Sequence, residues 1–130
     1  MVIDTSAVFA IVLGEPERLA FSAAIEASDR RLISAATAVD CVAVLAGRRP
    51  GADPMIAINI VLEDLGLEVV PIDLAQWRAA ADALIRFGKG RHPARLNLGD
   101  SFAYALAKVS GEPLLFKGDD FSRTDIAAAL

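Results

Sequence analysis

Short apolar runs alternate with longer stretches of small, helix-favouring residues along the whole chain. Val2-Ile3, Leu32–Ala35, Leu67–Ile72 and Pro113–Phe116 read as short buried strands. Helices are expected from Thr5 to Leu13, from Glu15 to Ser28, and after a cap at Ser34 or Thr37 to about Arg48. A break at Pro50-Gly51 precedes a helix opened by Asp53-Pro54 and ending near Leu65-Gly66. Asp73 caps a helix running to Phe87, and an alanine-rich helix spans Gly99 to Val109, stopped near Gly111. Asp125–Ala129 reads as a final turn. Strands alternating with helices fold into a parallel sheet covered on both faces, so the class is α/β. Ligands of such sheets gather at the carboxyl ends of the strands.

The chain of 130 residues is one domain, residues 1 to 130. Its hydrophobic fraction of 55% is high, but much of it is alanine. No stretch approaches the roughly 18–20 apolar residues of a membrane span, and no signal peptide is evident. Cys41 is the only cysteine, so no internal disulfide or zinc pattern is available. Its valine neighbours mark it as a buried thiol, which suits a reducing, cytoplasmic compartment. The net charge of −4 argues against nucleic acid, but its distribution does not. From Arg86 to Arg95 the sequence RFGKGRHPAR holds four cations, one histidine and no acid.

The acids occupy telling positions. Asp4 ends the first strand, Asp100 opens the alanine-rich helix, and Asp119-Asp120 follow the last strand. Each has an ordinary role available: an N-cap, a partner for the helix dipole, a turn. Asp40 has none, since it sits among Ala38, Val39, Cys41 and Val42. Carboxylates converging at one sheet edge repel and raise one another's pKa. A hard divalent cation, Mg²⁺ or Mn²⁺, removes that penalty. Such an ion beside a basic loop points to phosphodiester chemistry. No EF-hand spacing, P-loop or nucleophile elbow is present. His92, the only histidine, lies in the basic loop and suits surface or phosphate contact better than catalysis. Thr5 and Ser6 either orient a ligand or continue the cap of Asp4. Trp77 reads as core or interface packing. Tyr104 lies on the helical face of Asp100, with core packing as its ordinary role.

VIDTSA, ISAAT followed by an acid, GKGRHPARLN, LNLGDSFAYALA and PLLFKGDDFSRTDI stand in an order and spacing that resemble the PIN-domain family, specifically its VapC toxins. The resemblance covers nearly the whole chain. It implies a three-layer α/β/α fold around a short parallel sheet of four or five strands. It implies a bacterial, cytoplasmic, Mg²⁺- or Mn²⁺-dependent endoribonuclease silenced by a cognate VapB-like antitoxin, and a homodimer. Asp4, Asp40, Asp100 and Asp120 map to the family's acidic positions, with Asp4 and Asp100 as metal ligands. Asp119 is the alternative to Asp120, and Thr5 and Ser6 are nearby candidates. Lys89, Arg91, His92 and Arg95 form the RNA-binding strip. The second acidic position usually holds glutamate, and Asp40 is one methylene shorter. A weakly active or inactive module that binds RNA or an antitoxin is therefore the alternative.

Overall fold

A computed structural model describes residues 1–48, 51 and 53–130. The element order is β1 (Val2–Ile3), α1 (Thr5–Val12), α2 (Arg18–Glu26), β2 (Leu32–Ser34), α3 (Ala35–Arg48), α4 (Pro54–Asp64), β3 (Glu68–Val70), α5 (Leu74–Phe87), α6 (Leu98–Ser110) and β4 (Leu114–Leu115). A short 3₁₀ turn follows over Phe121–Arg123. The four strands run parallel in the order β3-β2-β1-β4, with Val2 opposite both Leu32 and Leu114. This is the three-layer α/β/α arrangement expected, with four strands.

The period of two along each strand splits the core into two layers. Ile3, Ile33 and Leu115 face a cluster built with α1 to α4. Val2, Leu32 and Leu114 face the opposite cluster, built with α5 and α6. Strands buried on both faces carry no polar alternation, which is why these runs read as continuously apolar. β3 is the exception. It is shorter than the Leu67–Ile72 run because Pro71 cannot continue the ladder, and it lies at the sheet edge with Glu68 and Val69 exposed.

Other boundaries shift for identifiable reasons. Ser34, which ends β2, caps α3 by accepting the Ala36 N–H, so the helix begins at Ala35. Thr37, the other candidate cap, is buried with its hydroxyl unpartnered. Asp53 caps α4 as expected, while Pro50 lies outside the described residues. The final segment is extended rather than a turn. Leu114 donates to the Ala127 carbonyl and accepts from Ala129 N–H, so these residues lie along β4 where its outer edge would be open. Trp77 is 59% exposed, which removes the core reading. Tyr104 is buried, and its hydroxyl donates to Asp125 Oδ1 at 2.7 Å, away from the acidic edge. Cys41 is a buried free thiol.

One arginine ties the basal side together. Arg31 donates to the carbonyls of Glu26, Ser28 and Leu65, at the ends of α2 and α4. Arg31→Ala is expected to cost about 1–2 kcal/mol, because three acceptors lose a charged donor. The urea midpoint would fall with an unchanged slope. An unshifted midpoint would refute this role.

Candidate active site

The carboxyl ends of β1, β2 and β4 bring the acidic segments together, and local rules fix each one. Asp4 leaves β1 as the N-cap of α1. Its Oδ2 accepts from Ser6 N–H at 2.9 Å and from the Ser6 hydroxyl at 2.6 Å. Asp100 is the third residue of α6. Its Oδ2 accepts from Asn97 N–H at 2.7 Å while the Asn97 side chain accepts from Asp100 N–H, a reciprocal capping box. The ordinary roles of Asp4 and Asp100 are therefore real, and each consumes one carboxylate oxygen.

The caps also aim the acids at one another. Asp4 is 5% exposed, and burial raises its pKa above the usual range. Its hydrogen bonds to Ser6 oppose this, and the nearby Asp40 charge adds to it. Asp100 is pushed to about 6, chiefly by burial and then by the charges of Asp4, Asp120 and Asp40. Asp40 enters from the second turn of α3. Its Oδ2 lies 3.6 Å from where a Cβ on Gly99 would stand, so the glycine keeps room between them. Asp120 is exposed, and its charge acts on Asp100, while Asp119 offers its carbonyl to the Ser122 hydroxyl.

Two residues missed in the sequence shape this edge. Asn97 holds Asp100, and the Asn-x-x-Asp spacing is the available signal. Lys117 links three segments. Its N–H donates to Ser6 Oγ at 2.9 Å, and its ammonium lies 2.7 Å from Glu15 Oε2 and 3.1 Å from Glu17 Oε2. Glu15 and Glu17 thus hold the loop that carries Asp119 and Asp120. None of Asp4, Asp40, Asp100 and Asp120 forms an ion pair with a lysine, arginine or histidine among the described residues.

The donor set fits a hard cation. Cys41 is the soft donor beside it, and burial together with the charges of Asp4 and Asp40 pushes that thiol up to about 12, so it stays neutral. Among the described residues no three acidic, histidine or cysteine side chains are gathered into a ready cage. Mg²⁺ does not need one, since it keeps several waters and takes one or two carboxylates.

The basic strip is divided. Arg86 is committed to Asp82 and Asp125. Gly88 and Leu96 form a bridge that closes the loop between them, and only glycine fits at 88, where a Cβ would stand 2.2 Å from the Leu84 carbonyl oxygen. His92 braces this loop: Nδ1 accepts from Ala94 N–H at 3.1 Å, and the ring meets Phe87 edge-on. Lys89, Arg91 and Arg95 are exposed on the outside of the ledge. Arg95 holds a φ of +55°, in the left-handed region.

The PIN domain family model matches residues 1–127. The chain belongs to the PIN-domain family. Ribonuclease VapC42 of Mycobacterium tuberculosis is 46% identical over 131 residues, covering 99% of this chain and 98% of that one. Within the family the chain therefore falls among the VapC ribonucleases. The crystal structure of M. tuberculosis VapC20, a sarcin-ricin loop cleaving toxin, matches with a TM-score of 0.73 at 16% identity, over 97% of this chain and 95% of that one. A toxin-antitoxin complex from Klebsiella pneumoniae matches with a TM-score of 0.68 at 17% identity, over 95% and 92%. These two likenesses concern the fold. No helix among the described residues is long and apolar enough to cross a membrane.

Proposed function

We propose that this chain is a Mg²⁺- or Mn²⁺-dependent endoribonuclease and the toxin of a type II toxin–antitoxin pair. One observation carries the reading: Asp4 and Asp100 are partly or wholly desolvated, Asp4 within reach of the Asp40 charge and Asp100 within reach of those of Asp4, Asp40 and Asp120, and neither has a cationic side-chain partner among the described residues. Such an arrangement is costly unless it exists to hold a cation.

Asp4 and Asp100 would hold the ion through the oxygens their caps leave unused. Asp40 and Asp120 would complete the acidic ring, Asp40 through water because of its shorter reach. When bound, the ion supplies charge neutralisation at a phosphate oxygen and a lowered pKa for water. Ser6 fixes the Asp4 carboxylate, and Asn97 fixes that of Asp100. An outer carboxylate orients the attacking water and takes its proton. The water oxygen bonds to phosphorus, the phosphorus–O3′ bond breaks, the departing 3′ oxygen takes a proton from solvent, and the products carry a 3′-hydroxyl and a 5′-phosphate. Lys89, Arg91 and Arg95 would attract the flanking phosphates. His92 serves this strip by bracing the loop.

The relatives' names also suggest partners. An antitoxin chain would cover the acidic cluster and present an arginine to it. A homodimer accounts for exposed apolar side chains such as Val39, Trp77, Ile85 and Leu98. A bacterial cytoplasm suits all of these.

The test is cleavage of total RNA by the purified chain. Cleavage is expected with Mn²⁺ or Mg²⁺, lost in EDTA and restored by excess metal. Cleavage indifferent to EDTA would refute the metal dependence.

A further inference from the structure

The exposed apolar side chains near the acids form a strip. Leu98, 64% exposed at the start of α6, lines three adjoining hollows. One, of about 390 Å³, lies between α3 and α6 and includes Val39, Asp40 and Phe102. A second, of about 120 Å³, lies between α5 and α6 beside Trp77 and Phe102. The third, of about 290 Å³, runs from the end of α5 into the basic loop and includes Lys89 and Arg91. Leu98 and Phe102, four residues apart, make an outer ridge along α6. On the α3 side lies the acidic flank, and beyond Leu98 on the α5 side lies the basic one.

This charge pattern selects among possible covers. An isologous contact brings features on opposite sides of the two-fold axis face to face, whereas features along the axis meet their own copies. An axis crossing the ridge would set acid against acid and base against base, in a chain already carrying a net charge of −4. An axis along the ridge pairs each acidic flank with a basic one, and like-charge juxtaposition is avoided.

We infer that a second copy of this chain covers the strip with the axis along Leu98 and Phe102, so that Lys89 and Arg91 of each copy complete the acidic site of the other. The acids would hold the reacting phosphate, and the cations beside it would come from across the interface. Neither copy would have both halves of the RNA site alone. The functional consequence rests on the ribonuclease reading, while the geometry does not.

Mixed dimers test it. An Asp100→Asn copy keeps its basic loop, and a copy with Lys89→Ala and Arg91→Ala keeps its acids. With a different tag on each, the heterodimer is isolated from both homodimers. Each homodimer is expected to be near background. The heterodimer should regain about half of wild-type cleavage, since one of its two sites is whole. A heterodimer no more active than its parents, beside an active wild-type dimer, would overturn the proposal, and so would a wild-type chain that is monomeric at micromolar concentration. A second measurement is independent of activity. Val39→Cys and Lys89→Cys chains, mixed and oxidised, should form a crosslinked heterodimer, with Cys41 buried and silent. Absence of that crosslink overturns the arrangement. If wild type fails to cleave RNA yet the crosslink forms, the ribonuclease reading fails and the interface stands.

Discussion

Asp100→Asn is expected to lower RNA cleavage by roughly 100-fold or more while making the metal-free protein more stable at neutral pH. The two effects come from one carboxylate. Asparagine keeps an oxygen that accepts the Asn97 N–H, so the capping box at the start of α6 persists. It removes the charge that burial and Asp4, Asp40 and Asp120 disfavour. It also removes the anionic oxygen proposed to hold the ion. Asp4→Asn should lose activity to the same extent, since asparagine is also a good N-cap and α1 would still start there. Circular dichroism, thermal melting in EDTA and cleavage assays on both variants are the measurements. A stable variant that retains wild-type cleavage would remove its residue from the site. A destabilised and inactive Asp100→Asn would show that the carboxylate serves the fold rather than the ion.

The legibility of this site in the sequence follows from its being built on caps. Asp4 reads as a capping residue and Asp100 as a partner for the helix dipole, and in the structure both take part in caps, Asp100 through its exchange with Asn97. The capping geometry is what places them at the carboxyl edge of the sheet, so the cap and the proposed ligand role are compatible, each cap using one carboxylate oxygen and leaving the other. The strands are legible because the Val2-Ile3, Leu32-Ile33 and Leu114-Leu115 pairs each divide between two core layers. Contacts between distant segments are not. Nothing local in the sequence says that Lys117 reaches Glu17 and Glu15, the latter 102 residues earlier, or that its N–H meets Ser6. The extended path of residues 127–129 is hidden for the same reason. Ala127, Ala128 and Ala129 favour helix by local propensity, and pairing with Leu114 overrides it. The basic loop is legible by its charge alone. Its buried anchors Ala94 and Leu96, and the brace from His92 to Ala94, turn a polar segment into a ledge and fix the His92 ring on it.

Acidification is expected to stabilise the metal-free protein between neutral pH and about pH 5, and bound metal should abolish that trend. Asp100 titrates at about 6 in the fold against 3.8 as an ordinary aspartate. Its folded pKa is raised, so the folded state holds a proton that the unfolded chain has released. Stability is therefore greatest below the unfolded pKa and declines as pH rises through the folded value. Two pKa units at 1.36 kcal/mol each bound the loss at about 3 kcal/mol. The raised pKa of Asp4 acts with the same sign. Asp125 acts in the opposite sense, because Tyr104 and Lys108 hold it at about 2, but its contribution is lost only as pH falls below the ordinary value of 3.8. The two windows do not overlap, so the metal-free optimum lies near pH 4–5. In EDTA, the melting temperature at pH 5 should exceed that at pH 7 by on the order of 5–10 °C. With saturating Mn²⁺ the gap should close or reverse, because protons compete with the ion for the same oxygens. Asp100→Asn should flatten the EDTA curve. A wild-type profile that is level from pH 5 to pH 7 without metal would show that Asp100 is better solvated than its place beneath Asn97 and beside Asp4 implies.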